Sequence, residues 1–325
     1  MRIRIDPFVI AMLVTVATAA LSAAFGLTGD KLPLGALTTA GIMLVFFLHG
    51  ANLSPHALLA GLANWRVHLA VQATTFVFFP LVGAGLVALT GTWLAPETRT
   101  GILFLCALSS TVSTSVAMTA MARGNVPAAV FNATLSGIIG MFATPVLMSL
   151  MAGAAMRHLD PLPAILDIAK VLFAPFVAGQ LARRWISTWL AGHKSWINKV
   201  DRGTILLIVF SAFLEAFASG LWGRMGWQAL VADAVLVAVL LAVALGFTAR
   251  MARILGLTRA DEATLVFCGS KKSLANGAPI AAVLFGHVPQ LGAILLPLML
   301  YHQLQLIVCA NLARRYAQRA EGLAD

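Results

Sequence analysis

Lys271 and Lys272 stand side by side in VFCGSKKSLANGAPIAAVLF, residues 266–285, a stretch otherwise apolar enough for a lipid bilayer. Ammonium groups at such a depth are costly and by default mark a functional site. Their chemistry is to hold an anion or to stand in for a cation. Ser270 and Ser273 flank the pair, and Asn276, Gly277 and Pro279 follow. A second polar tract, CALSSTVSTSVAMTAMARGN (106–125), sets Ser109, Ser110, Thr111, Ser113, Thr114 and Ser115 in another apolar run. Hydroxyl side chains compete for backbone hydrogen bonds, and glycine and proline weaken helices, so both tracts predict broken helices. Broken backbone at membrane depth survives only inside protein or along a water-filled cavity.

Plainer accounts exist. Small hydroxyl residues let helices approach closely, which explains the serines and threonines taken alone. It does not explain the lysines, whose plain account is a misplaced loop with both ammonium groups in water. Adjacent helical residues point about 100° apart, so one lysine can face a site while the other snorkels. Gln72 and Thr75, Asn132, Thr134 and Ser136, Glu215, Asp233, and His302, Gln303 and Gln305 are further polar residues in apolar runs. Asn132 and Ser136 are four apart and share a helix face. Asp233 and Glu215 are candidate counter-ions to the lysines. A solitary histidine or glutamine in a span is more often a packed, hydrogen-bonded residue than a ligand. The candidate substrate- or ion-binding set is Lys272, Lys271, Ser270, Ser273, Asn276, Ser109, Ser110, Thr111, Ser113, Ser115, Asn132, Ser136, Thr75, His302 and Gln305.

Catalytic chemistry finds less support. HExxH and GxSxG are absent, and GSKKS lacks the phosphate-loop spacing. Ser-Lys proximity in SKKS resembles a dyad, but adjacent helix residues do not face each other. Cys106, Cys268 and Cys309 are odd in number and lie in apolar stretches, so neither a disulfide framework nor a metal cluster is expected.

The elements that must position these groups are membrane helices. The chain has 325 residues, 60% hydrophobic and 10% charged, with a mean hydropathy of +0.91. A soluble domain is about a quarter charged, and a β-barrel would alternate over segments of about ten residues. Ten spans of roughly 20 residues are read at 7–26, 32–51, 66–91, 98–122, 126–151, 161–183, 203–221, 227–249, 261–285 and 291–313. The N-terminal MRIRIDPFVIAMLVTVATAALSAAFG resembles a signal peptide, but its apolar run is long for one and is read as the first span. The net charge of +10 comes from short basic loops rather than a nucleic-acid surface. Arg2, Arg4, Arg66, Arg123, Arg183, Arg184, Lys194, Lys199, Arg202, Arg250, Arg253, Arg259, Arg314, Arg315 and Arg319 fall on one side, against Lys31, Arg99, Arg157 and Arg224 on the other. Both termini are therefore expected in the cytoplasm and the chain in the inner membrane. Residues 182–202, ARRWISTWLAGHKSWINKVDR, read as an amphipathic connector on the membrane surface, with lipid as a partner.

A shift of 162 residues lays LFLCALSST (103–111) on LVFCGSKKS (265–273) and GNVP (124–127) on GHVP (286–289). It pairs the fourth span with the ninth. Two repeats of five spans, about 7–151 and 161–313, insert in opposite senses, and broken helices at equivalent positions are the sequence pointer to a transporter site.

FFLHGANLS (46–54), ARGN (122–125), FCGSKKSLANGAPIA (267–281) and LPLMLYHQLQLIV (296–308) resemble the bile acid:sodium symporter superfamily, specifically its SBF-like branch. FCGSKKSL is the most specific of these, and the resemblance covers nearly the whole chain. It implies ten helices in two inverted five-helix repeats within one transporter domain, 1–325. A core of helices 3–5 and 8–10 would move against a panel of helices 1, 2, 6 and 7, with helices 4 and 9 unwound and crossing at the substrate. It also implies an organic anion as substrate, often carried with sodium that a ninth-helix glutamate ligates. Val266 to Ala278 holds no acidic residue; Phe267 takes the glutamate's place, Val116 and Ala133 replace an expected Asn and Thr, and Asp261 and Glu262 come too early.

The reading is an all-α polytopic membrane protein that transports a small organic anion, without cofactor, with sodium or a proton as coupling ion and Lys271 or Lys272 replacing a bound cation. The substrate's anionic group is also drawn to half-helix N-termini. The alternatives are a non-transporting regulator of ion homeostasis on a transporter fold, and a membrane-embedded hydrolase. The sequence sets no oligomeric state.

Overall fold

A computed structural model describes residues 7–29, 32–53, 64–90, 93–152, 161–286 and 288–321. Arg2, Arg4, Lys31 and Arg157 of the orientation argument, with Ser54 and His287 of the quoted motifs, lie outside the described residues. The described chain is all helical: α1 (Pro7–Ala24), α2 (Leu34–Asn52), α3 (Trp65–Thr90), α4 (Pro96–Ala107), α5 (Ser113–Met121), α6 (Val126–Ala152), α7 (Pro161–Ile168 continuing through Ala174–Gly192), α8 (Lys194–Ala218), α9 (Leu221–Ile254), α10 (Arg259–Gly269), α11 (Leu274–Phe285) and α12 (Leu291–Glu321). Seven of these are long and apolar enough to cross a membrane, which makes this a polytopic membrane protein. α4 with α5, and α10 with α11, are pairs of short helices of 12, 9, 11 and 12 residues separated by non-helical backbone at 108–112 and 270–273.

Some boundaries differ from the sequence reading for local reasons. Residues 182–202 do not form a separate connector. α7 runs on to Gly192 and α8 starts at Lys194, with a turn at His193 between them. His193 stacks on Trp189 at 4.2 Å, and Trp196 meets Trp189 edge-on at 5.6 Å. α9 begins at Leu221 but is interrupted at Gly226, whose φ of 71° suits glycine and breaks the helix there.

Contacts divide the chain into two units. The first comprises Met1–Leu53, Asp160–Gln228 and Ala278–Leu295; the second comprises Ser54–Leu159, Ala229–Gly277 and Leu296–Asp325. The first is built on α1, α2, α7 and α8. α2 buries Ile42, Val45, Phe46 and Leu48, and it meets α7 where two glycines face backbone. A Cβ on Gly50 would overlap the Phe176 carbonyl, and one on Gly179 would overlap the Phe47 carbonyl. Without hydrocarbon burial to drive association in lipid, such small residues supply the close contact.

The second unit is built on α3 to α6 and α10, with parts of α9 and α12. Its ARGN turn is held by polar knotting. Arg123 takes a left-handed φ of 56°. A Cβ on Gly124 would lie 2.7 Å from Thr119 Cγ2 and 3.1 Å from the Ala260 carbonyl, and the Asn125 N–H donates to that carbonyl at 3.0 Å. Asp261, at the start of α10, accepts from Asn64 Nδ2 (2.7 Å), Thr258 Oγ1 (2.8 Å) and Asn125 Nδ2 (2.9 Å). Three donors satisfy the buried carboxylate, so Asp261 ties the α3 start, the α5–α6 turn and the α10 start together.

Candidate functional site where two helix breaks meet

A broken helix exposes backbone groups that a bilayer cannot hydrate, so the partners of those groups define the site. α4 ends at Ala107 with its last carbonyls open. The Leu108 N–H takes Leu105 O (3.4 Å) and Thr144 Oγ1 takes Ala107 O (3.0 Å). Cys106 O and Leu108 O are taken by one side chain, the Lys272 ammonium, at 3.0 and 2.6 Å.

Its third donor goes to Thr75 O at 3.1 Å, and α3 explains why that carbonyl is free. Thr74–Phe78 forms a π turn in which the Phe79 N–H donates to Thr74 O. The next candidate donor for Thr75 O, in that wider register, would be residue 80, and Pro80 has no N–H. Lys272 therefore spends all three N–H bonds on carbonyls, with its Nζ also 4.1 Å from the centre of the Phe79 ring. It sits at the C-terminal end of α4, where the helix dipole favours a cation.

Lys271 is equally buried but differently held. Its Nζ donates to Thr114 O at 2.8 Å and lies 5.8 Å from the Phe267 ring centre. Among the described residues that carbonyl is its one hydrogen-bond acceptor. Asp233, expected as a counter-ion, forms no ion pair with either lysine among the described residues; it is fully buried, with the Thr98 hydroxyl beside its carboxylate. Glu215 belongs to the first unit.

The second break is satisfied from α12. Gln305 grips the Lys272 peptide from both sides, accepting from its N–H (2.9 Å) and donating to its carbonyl (2.8 Å). His302 Nδ1 pairs with Gln305 Nε2 at 3.0 Å. Tyr301 Oη donates to Ser270 O at 2.6 Å. Ser270 Oγ folds back on Val266 O (2.6 Å), and Ser273 Oγ caps α11 through the Asn276 N–H (3.1 Å). The two breaks also bond to each other. The Ser273 N–H donates to Ser109 O (3.0 Å), Ser110 Oγ to Cys268 O (2.5 Å) and Asn276 Nδ2 to Ser109 Oγ (3.1 Å).

Of the other expected site residues, Ser136 accepts from the Ser110 N–H at 2.9 Å, and Ser115 Oγ lies 3.5 Å from Ser110 Oγ. Thr111 accepts from Thr114 Oγ1 at 3.1 Å. Asn132 stands apart, donating to His68 Nδ1 (2.9 Å) and accepting from Gln72 Nε2 (3.4 Å). The Thr75 hydroxyl bonds within its own helix, to Val71 O, so its contribution is the carbonyl. Ser113 is exposed. The sequence reading missed Tyr301, Phe79 and the carbonyls of Cys106 and Leu108.

Discontinuous membrane helices are where secondary transporters typically build their binding sites. The chain matches the SBF-like CPA transporter family over residues 6–318 and belongs to it, and with it to the bile acid:sodium symporter superfamily. It is 48% identical over 319 residues to an uncharacterized protein of Pseudomonas aeruginosa, covering 98% of this chain and 95% of the relative. It is 43% identical over 325 residues to YfeH of Escherichia coli, provisionally named a symporter, with 98% and 95% covered. It is 27% identical over 311 residues to sodium/bile acid cotransporter 7 of Rattus norvegicus, with 94% and 91% covered. The chain is thus a transporter of this type, not an enzyme.

Proposed function

We propose that the protein is a secondary active transporter of a small organic anion, working by alternating access around the paired helix breaks. Lys272 acts as a tethered cation in place of a bound sodium ion, and Lys271 meets the anionic group of the substrate. The observation that carries this reading is the set of three carbonyl oxygens around the Lys272 ammonium. Such hard oxygen donors are what a small bound cation also needs, and a fixed ammonium beside them repels one. Lys271 supports the second role: it is as deeply buried, yet its ammonium has two N–H groups beyond the one given to Thr114 O.

Ten passes in two inverted repeats fit this reading. Ala107 ends α4 and Gly269 ends α10, the same offset of 162 residues that aligns the two tracts in sequence. The panel in this reading is helices 1, 2, 6 and 7 and the core helices 3–5 and 8–10; the contact units agree in parting α1, α2, α7 and α8 from α3 to α6 and α10, and differ in grouping Ala278–Leu295 with the former. The basic loops favour cytoplasmic termini in the inner membrane. With Lys272 in the place of sodium, the coupling ion of this reading is a proton, and the substrate belongs to the carboxylates or sulfates, bile acids among them.

Uptake of labelled organic anions into proteoliposomes tests the reading. Lys271→Met is expected to weaken anion uptake at least tenfold while the protein still folds, with Ser219→Ala, whose hydroxyl only bonds Ala216 O, transporting like wild type. Full uptake by Lys271→Met would remove it from the substrate site. Specific anion binding with no uptake by wild type would turn the reading to a regulator.

A further inference from the structure

The geometry points to a site for an anionic phospholipid in a groove between α3 and the C-terminal part of α9, away from the helix breaks. The groove encloses about 860 Å³, within the 300–1,000 Å³ usual for small-molecule sites. Its walls are two stripes of matching spacing: Arg66, Leu69 and Ala73 on α3, and Phe247, Arg250 and Ile254 on α9. Steps of three and then four residues keep each trio on one helix face. Phe78 stacks on Phe247 at 3.7 Å and 8°, joining the two helices.

The lining is apolar except for the guanidinium groups of Arg66 on one wall and Arg250 on the other. Arg66 lies in the first turn of α3 and Arg250 one turn before α9 ends. Among the described residues neither has a carboxylate or carbonyl partner, and Arg66 has only the Trp65 ring beside it, at 5.8 Å. Trp65 is of the type that settles at the membrane–water boundary. Leu69 and Ile254 are 62% and 75% exposed. An anionic group between the arginines, with a hydrocarbon chain running along Leu69, Ala73 and Phe247, satisfies both features together. A phospholipid is the amphipathic anion that a membrane supplies at that depth. The groove is independent of the transport reading, since its occupant need not be carried.

The test is a thermal-unfolding titration of detergent-solubilised full-length protein with phosphatidylglycerol, phosphatidylcholine of the same chains, and inorganic phosphate. Phosphatidylglycerol alone should raise the unfolding temperature saturably. Arg66→Gln with Arg250→Gln should need about twenty-fivefold more of it, about fivefold for each cation removed. Ala73→Trp, which fills the groove and keeps both charges, should lose the response as well. An equal response to phosphatidylcholine, the same response to inorganic phosphate, or an undiminished response in both variants would each overturn the assignment. Should the double arginine variant not fold, Ala73→Trp decides alone. None of these readouts depends on substrate uptake, so a failure here and a failure of the transport reading are distinguishable.

Discussion

Lys272→Met is expected to cost about 3–5 kcal/mol of stability, the range for removing one partner of a buried charged network, and to abolish anion uptake. Methionine matches the length of the lysine stem and fills the space, so a cavity contributes little. What is lost is the donor set. Thr75 O, Cys106 O and Leu108 O lose their donor together, and an unsatisfied buried polar group costs about 1–3 kcal/mol. The C-terminal end of α4 also loses the cation that opposes its dipole. Lys272→Arg should not rescue the loss, because three carbonyls that converge on one compact ammonium in a fully buried pocket do not fit the larger, rigid planar fork of a guanidinium. Equilibrium unfolding of the variants in mixed micelles measures the cost. A change below about 1 kcal/mol, the ordinary net worth of one hydrogen bond, would mean that the three bonds are not what holds the break.

The second large effect belongs to the first unit and concerns packing alone. Gly50→Ala and Gly179→Ala should each destabilise by about 3 kcal/mol, the upper part of the range for overpacking. Each new methyl would meet backbone, the Phe176 or the Phe47 carbonyl, and backbone cannot swing away as a side chain can. α2 and α7 must separate, which also disturbs the bond from Arg183 to Leu53 O. Once one substitution has forced them apart the second costs less, so the double variant should fall well short of the sum. Gly203→Ala is the contrast. Nothing lies within 4 Å of its would-be Cβ, and alanine in a helix gains up to about 1 kcal/mol over glycine. Unfolding midpoints of the four variants check this, and equal behaviour of Gly50→Ala and Gly203→Ala would show that the close approach carries no weight.

How much of this was legible in the sequence depended on where the chemistry sits. Lysines in an apolar run, and hydroxyl, glycine and proline residues around them, are visible as residue types, and they named both stretches of broken backbone. The acceptors were not visible. Every residue has a carbonyl, and only the local hydrogen-bond pattern shows which are free. For Cys106 and Leu108 the cue is the end of α4; for Thr75 it is Pro80, five residues on, whose missing N–H leaves that carbonyl open in the π turn. Side-chain type misled in two places. Thr75 reads as a hydroxyl ligand, yet its hydroxyl bonds its own helix, and Asp233 reads as a counter-ion, yet both lysines bond backbone oxygens. Gln305 reads as a ligand from its type, but its amide bonds the Lys272 peptide. The glycine contacts between α2 and α7 were beyond the sequence, since a small residue in an apolar run does not say what approaches it.

The central claim is that the Lys272 ammonium occupies the place of a bound sodium ion. The most direct test is the unfolding temperature of wild type and Lys272→Ala in sodium, potassium and choline chlorides at equal ionic strength, because a ligand of the folded state alone raises stability by mass action. The account predicts no sodium-specific rise in wild type and a sodium-dependent rise in Lys272→Ala, where the three carbonyl oxygens are open to a free cation. A saturable, sodium-specific rise in wild type would contradict it.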